Sequence, residues 1–356
     1  PIIQGTSFAF IPIMLPFKAF GLGAIFTAAF IGGIFQIWIG KILKPIRHMF
    51  PPLVTGIVVL MIGISLLKVG FKYAGGGVWL MNNKPEVFAN WEHLLIAGTV
   101  LIVALLCNLR GKGMISSASI LLGIIAGFIM AALLGQVSWG KIAAADWFAL
   151  PMPFQYGIDF VWGAVILMLF MSIVTTIETI GDISATTMGG ANREATNKEL
   201  SGGIMADGVG TAFASIFNAM PNTSYSQNAG LVAFTGVISR HVGTVAGVIL
   251  ILLGLFPKLG GIIAAMPDSV IGGAAIIMFG LIAGAGIKLI SKSEMSQRNI
   301  LILALSLSFG IGLYAFPEFV AHIPDFGIKL KLLLTTGLIP AGLLAFVLNA
   351  TLPTKK

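Results

Sequence analysis

Apolar stretches of about twenty residues recur from one end of this chain to the other, the length at which a helix crosses ~30 Å of hydrocarbon. They fall at about 2–16, 19–43, 53–70, 94–109, 114–135, 160–180, 200–217, 227–238, 242–256, 268–290, 299–316 and 330–350. Hydrocarbon offers no partner to a backbone N–H or C=O, so segments of this length must satisfy those groups internally, as helices. Only 10% of the 356 residues are charged, against roughly 25% in an average soluble domain. That is too little to cover a water-exposed body. The pattern predicts an all-α polytopic protein of the cell membrane, with the lipid bilayer as its solvent.

Other classes fall away. The net charge of +8 rests on Lys and Arg scattered through short loops, with no basic helix or aromatic-interleaved patch, so no nucleic-acid partner is expected. The single cysteine, Cys107, lies in an apolar run and offers neither a disulfide framework nor a metal site. His48, His93, His241 and His322 fall in loops or beside charges, where an interfacial position is expected rather than ligation. No phosphate loop, His-Glu-x-x-His or Gly-x-Ser-x-Gly occurs, and Gly75-Gly76-Gly77 reads as a loop. The sequence therefore points to no enzyme, no metal and no cofactor.

The connections orient the chain. Alternate loops beginning at 41–47 hold thirteen Lys and Arg and the other set eight, which puts the first set in the cytoplasm. The longer connections 71–93 and 136–157 carry Trp79, Trp91, Trp139 and Trp147, as interfacial segments do. Two spans are short or interrupted, Ile2–Pro16 by Pro12 and Asn218–Ile238 by Pro221. Such segments in corresponding positions point to a transporter's binding site. They do correspond. Gly5-Thr6-Ser7-Phe8-Ala9 is echoed by Asn222-Thr223-Ser224-Tyr225-Ser226, and Pro51-Pro52-Leu53-Val54-Thr55-Gly56 by Pro267-Asp268-Ser269-Val270-Ile271-Gly272. The offsets are 217 and 216. Seven spans lie within that offset, and an odd number inverts the second copy. This predicts an inverted 7+7 repeat with two short strands in half-helix spans. It also predicts about 12 of 14 spans in this chain, the partners of its later spans lying upstream of Pro1.

Most of the thirteen acidic residues occupy loops or span ends. Glu178 and Asp182, in Thr175-Thr176-Ile177-Glu178-Thr179-Ile180-Gly181-Asp182, and Asp207, in Met205-Ala206-Asp207-Gly208, do not. A carboxylate at membrane depth costs several kcal/mol and marks a substrate or proton path; the other reading of Glu178 and Asp182 is solvation of a helix end. Four residues apart, they share one helix face. The second constellation is Pro221-Asn222-Thr223-Ser224-Tyr225-Ser226-Gln227-Asn228. It reads either as a polar extracellular loop or as an extended piece that pairs inside the protein, with Thr6-Ser7-Phe8 as its partner. In the second case helix N-termini and free N–H groups converge on one place, with the amides of Gln227 and Asn228 beside them.

Gln227-Asn228-Ala229-Gly230-Leu231-Val232-Ala233-Phe234-Thr235-Gly236 resembles the signature of the nucleobase–ascorbate transporter family. Glu178-Thr179-Ile180-Gly181-Asp182 resembles its acidic motif, Met205-Ala206-Asp207-Gly208 its later aspartate, and Gly5-Thr6-Ser7-Phe8 its early strand. The resemblance implies fourteen spans in two inverted halves, forming a core domain (1–44 and 158–256) and a gate domain (45–157 and 257–356), as a homodimer. It implies a secondary active symporter driven by H+ or Na+, whose core carries substrate in an elevator-like step. Glu178 would bind ring N–H groups and Gln227 a ring carbonyl or N–H, with backbone amides near Phe8 and Ser226 completing recognition. Phe8 and Tyr225 would contact the flat ring, and Asn228, Asp182 and Asp207 would shape the site and the coupling route. Gln227 with Thr235-Gly236 resembles the xanthine and uric acid branch. The alternatives are a uracil-type permease and an anion transporter of the sulfate or bicarbonate type on the same architecture.

Overall fold

The computed structural model describes residues 1–42, 51–225, 228, 231–232, 235–324 and 330–353. In chain order the principal elements are β1 (Gln4–Thr6), the helical segment α1 (Phe8–Phe20), α2 (Leu22–Lys41), α3 (Pro52–Ala74), α4 (Trp91–Arg110) and α5 (Ser119–Leu133). There follow α6 (Trp162–Ala191), α7 (Asn197–Ile216), β2 (Asn222–Ser224), α8 (Arg240–Gly254) and α9 (Pro257–Ala265). Last come α10 (Asp268–Ile290), α11 (Gln297–Ala315) and α12 (Leu338–Thr351).

Among the described residues six helices, α2, α3, α4, α6, α10 and α11, are long and apolar enough to cross a membrane. The pair α8 and α9, bent by 75° at its break, adds a seventh if counted as one span. The break falls where Pro257 cannot continue a helix from the preceding turn. The remaining apolar runs form the shorter helices α1, α5 and α12, or α7, whose 20 residues include Lys198, Glu199 and Asp207. The run at 227–238 lies partly outside the described residues.

Two compact units divide the chain. The first takes Leu66–Pro151 and Gly230–Leu281, with Pro1. Its core gathers Ile96, Val100, Ala131, Val137, Ala265, Val270 and Ala274. A turn at Gly75–Gly77 folds onto this unit; Gly76 and Gly77 adopt φ of +105° and +98°, values that L side chains avoid. A Cβ on Gly76 would meet His93 Nε2 at 2.8 Å, and one on Gly77 would strike the Asp268 carboxylate. His93 is accordingly buried, 5% exposed in the first turn of α4. His241 and His322 are exposed, and His48 lies outside the described residues.

The second unit takes Ile2–Ser65, Met152–Ala229 and Ile282–Lys356, and it holds the strands. Here α2 beds against α7 through glycine. A Cβ on Gly33 would lie 2.7 Å from the Gly208 carbonyl, and one on Gly208 would lie 2.7 Å from the Ile37 amide nitrogen. Against α6, Gly32 meets Met168 and Ser172. Hydroxyl-to-carbonyl bonds lock both contacts, Ser201 to Gly40 at 2.7 Å and Ser172 to Gly32 at 3.0 Å. Small residues and interhelical hydrogen bonds hold helices together where lipid removes the hydrophobic drive. α7 starts at a capping box in which Thr196 and Glu199 each bond the other's backbone N–H. Arg193 pairs with Glu199 at 2.6 Å.

The predicted repeat is visible in the contacts. In the second unit Gly56 packs on Ile290, and Gly286 on Leu60. In the first, Gly272 packs on Ala74, and Gly70 on Ile276. Adding 216 to one partner and subtracting it from the other turns each contact of one unit into a contact of the other. The sequence echo is thus a structural exchange of α3 with α10, as an inverted repeat requires.

Candidate functional site

β1 and β2 pair antiparallel, Gln4 with Ser224, Gly5 with Thr223 and Thr6 with Asn222. The pairing runs on at both ends, Ser7 N to the Pro221 carbonyl and Tyr225 N to the Ile3 carbonyl, each at 3.1 Å. An offset of 218 converts one of these end bonds into the other. Two three-residue strands satisfy each other's backbone in this way, which is what irregular backbone in a membrane protein needs. Of the two readings of 221–228, the internally paired one holds for the described residues.

One side of the ladder is fastened to α7. Asp207, 2% exposed, accepts from the Thr179 hydroxyl, from Ser224 N at 3.2 Å and from the Ser224 hydroxyl at 3.1 Å. One turn on, the Thr211 hydroxyl donates to the Asn222 carbonyl at 3.2 Å and accepts from Asn222 N at 3.0 Å. Gln4 donates to the Ala206 carbonyl at 3.2 Å. Its amide lies on Gly210, where a Cβ would come within 2.6 Å of Gln4 Nε2. Positions 206, 207, 210 and 211 of α7 therefore form one face, at the helical spacing of three and four, that grips both strands.

Tyr225 covers Gly5, since a Cβ there would meet the phenol ring with Cζ at 2.8 Å. Its hydroxyl donates to the Thr6 carbonyl at 3.3 Å. Asn228 donates from Nδ2 to the Ile3 carbonyl at 2.8 Å. Ser7 caps the start of α1 by accepting from Ala9 N at 3.2 Å. Phe8 and Tyr225 are each 38% exposed. On α6, Glu178 is half-buried and Asp182 buried, and Glu178 lies within electrostatic reach of both Asp182 and Asp207.

Of the residues expected at the site, the structure thus gathers Asp207, Tyr225 and Asn228 on the strand ladder, with Phe8 at the head of α1. It puts Glu178 and Asp182 on the helix whose Thr179 bonds Asp207. Ser226 and Gln227 lie outside the described residues. Gln4, Thr179, Thr211 and Ser224 were not singled out as site residues, although the spacing of Asp207 and Thr211 was there to be read. Among the described residues no group of three His, Cys, Asp or Glu is placed to hold a metal ion.

Comparison with known proteins gives these residues a context. The model of the Permease family, Xan_ur_permease, matches residues 1–319. A protein of Clostridium perfringens (strain 13 / Type A) named as a purine permease is 38% identical over 351 residues, 98% of this chain and 76% of the relative. Xanthine permease XanP of Escherichia coli (strain K12) is 34% identical over 370 residues, 99% of this chain and 78% of the relative. Uric acid permease PucJ of Bacillus subtilis (strain 168) is 34% identical over 353 residues, 98% and 78% respectively. The fold resembles the transmembrane domain of the cyanobacterial bicarbonate transporter BicA, with TM-score 0.55 and 17% identity over 96% of this chain and 84% of that one. It also resembles SLC26A9, with TM-score 0.61 and 15% identity over 86% and 54%. At such identities the likeness is one of fold, the inverted 7+7 repeat.

Proposed function

Because this chain belongs to the Xan_ur_permease family, the nucleobase–ascorbate transporters, we propose that it carries a purine nucleobase, xanthine or uric acid, across the membrane. The carrier is a secondary active symporter driven by H+ or Na+, with no further cofactor, and it is not an enzyme. Residues 1–44 and 158–256 form the moving core and residues 45–157 and 257–356 the gate, in a homodimer that works by an elevator-like step.

The observation that best supports this reading is the β1–β2 ladder, held on Asp207, with the partly exposed aromatic residues Phe8 and Tyr225 at its ends. A planar base presents donors and acceptors at its edge and apolar faces above and below. A site for it needs a few convergent polar groups within an otherwise apolar wall. Glu178 supplies the acceptor for ring N–H groups, Gln227 and the backbone near Ser226 and Phe8 read the rest of the edge, and the two aromatic rings meet the faces. Asn228 fixes the strand carrying Ile3. Asp182 and Asp207 link Glu178 to the coupling route.

An anion of the bicarbonate or sulfate type suits the site less well. Glu178, with Asp182 and Asp207 near it, offers carboxyl acceptors where a small oxyanion needs donors, whereas a purine ring brings N–H groups that such acceptors hold. The fold likeness to BicA carries no substrate with it.

Uptake of radiolabelled xanthine by the full-length gene, in cells without purine permeases of their own, tests the proposal. Competition by uric acid but not by uracil is expected; competition by uracil would move the chain to the uracil branch. Glu178→Gln is expected to abolish accumulation while leaving the protein in the membrane. Accumulation at the wild-type level in that variant would sink the assignment of Glu178.

A further inference from the structure

Gln36 lies midway along α2 with 0% of its surface exposed, and neither its Oε1 nor its Nε2 has a hydrogen-bond partner among the described residues. Buried amides of this kind are rarely left so, because an unmet donor and acceptor each forfeit the hydrogen bonds they made in water.

Its direction follows from its neighbours. At about 100° per residue, Gln36 stands about 40° around the helix from Gly32 and about 60° in the other sense from Gly33. Gly32 faces Met168 and Ser172 of α6, and Gly33 faces Gly208 and Ala212 of α7. The amide therefore points into the seam between the two. Its level follows too. α2 and α6 run the same way, Gly23 meeting the Tyr156 carbonyl and Gly32 meeting Ser172. α2 and α7 run oppositely, Gly33 meeting Gly208 and Gly40 meeting Met205. One turn beyond Gly32, Gln36 is level with 172–176 of α6 and with 205–208 of α7.

The polar groups at that level are already committed. Thr175 and Thr176, both 0% exposed, donate their hydroxyl protons to the carbonyls of Met171 at 3.0 Å and Ser172 at 2.7 Å. Asp207 Oδ2 takes the Thr179 hydroxyl and Ser224 N, whereas the only contact of Oδ1 among the described residues is the Ser224 hydroxyl, at 3.2 Å and shared with Oδ2 at 3.1 Å. A carboxylate oxygen accepts two hydrogen bonds, so Oδ1 retains capacity at the level that the Gln36 amide occupies.

We propose that Gln36 binds ordered water in the α2–α6–α7 seam, water that accepts from its Nε2 and donates to Asp207 Oδ1. Gln36 is thereby a positioning residue for Asp207. Water suits the amide better than a cation does. It can receive the Nε2–H groups and supply a proton to Oε1, whereas a cation is repelled by the NH2 half. Buried water with about three polar partners is a regular structural component. The link to transport rests on the proposed coupling role of Asp207; the water site itself does not.

The experiment is a structure of the purified full-length protein at a resolution that shows ordered water, in sodium and with sodium replaced by N-methylglucamine. Density within hydrogen-bond reach of the Gln36 amide and Asp207 is expected in both. An amide bonded directly to protein groups with no density between, or density that vanishes without sodium, overturns the assignment. Gln36→Leu is expected to lower the maximal rate of xanthine uptake about tenfold with KM changed less than about twofold. Gln36→Glu, which can still bind water, is expected to keep more of the rate. A Gln36→Leu carrier as fast as wild type refutes the positioning role. If Gln36→Leu fails to reach the membrane, the wild-type density decides. A wild-type protein that transports no nucleobase would fail the functional proposal while leaving the density test standing.

Discussion

A single hydroxyl on Thr211 both donates to and accepts from the backbone of Asn222. Thr211→Val keeps the shape and removes both bonds, leaving an N–H and a carbonyl of β2 unmet at a cost of about 1–3 kcal/mol. The purified variant should melt at a lower temperature than wild type and bind substrate more weakly, whereas Thr99→Val, altering a threonine that bonds only its own helix, should do neither. The contrast shows what a sequence yields at this scale. Glu178, Asp182 and Asp207 stood out because charge in an apolar run is costly and rare. Thr211, Gln4 and Gln36 did not, because a hydroxyl or amide in such a run looks alike whether it bonds its own helix, a strand 11 residues away or nothing. Only the packing partner distinguishes them. The burial of His93 was hidden for the same reason: it comes from a glycine turn that no local pattern foretells.

Helices here are matched by the atoms they omit. Gly33 and Gly208 let α2 and α7 approach until backbone meets backbone, so Gly208→Val should cost about 1–3 kcal/mol or more through overpacking and reduce the yield of folded protein. Gly98 has nothing within 4 Å of its Cβ direction. Gly98→Ala should be neutral or stabilising by about 0.5–1 kcal/mol, and equal behaviour of the two variants in a thermal melt would contradict this packing. The start of α7 adds a pH dependence. The Arg193 guanidinium, with the Thr196 backbone and hydroxyl, holds the Glu199 carboxyl well below the usual carboxylate range. A depressed folded pKa gives stability that is complete above the unfolded value of about 4.3 and fades as pH falls beneath it. Wild type and Glu199→Gln should therefore differ in melting temperature at neutral pH and converge on acidification. A gap that widens toward acid would reverse the sign. These elements were largely legible beforehand: the spans from their apolar length, the repeat from two echoes. What could not be read was where an apolar run would yield a full span and where a shorter helix, since α5 and α12 are as apolar as the spans and differ from them in length, at 15 and 14 residues.

At the scale of the whole molecule, this is a multi-pass membrane protein whose two echoes, read from two and three identical residues, have become two sets of exchanged contacts. The register of the strands was beyond the echo's reach. An alignment at 217 says which residues correspond, but antiparallel pairing brings each residue opposite a different one. Separate production of residues 1–157 and 158–356 should give two fragments that bind no xanthine alone and recover binding when co-expressed. Binding by either fragment alone would mean that the ladder is not needed.

Consider finally when that ladder can exist. Its two strands lie about 218 residues apart along the chain, and synthesis proceeds at roughly 5–20 residues per second. Gln4–Thr6 therefore waits, with half its backbone unmatched, for ten seconds or more until Asn222–Ser224 emerges. The ladder is completed only once the second strand and the helices before it have been made. Any chain interrupted before Asn222 leaves Gln4–Thr6 without the strand it pairs with.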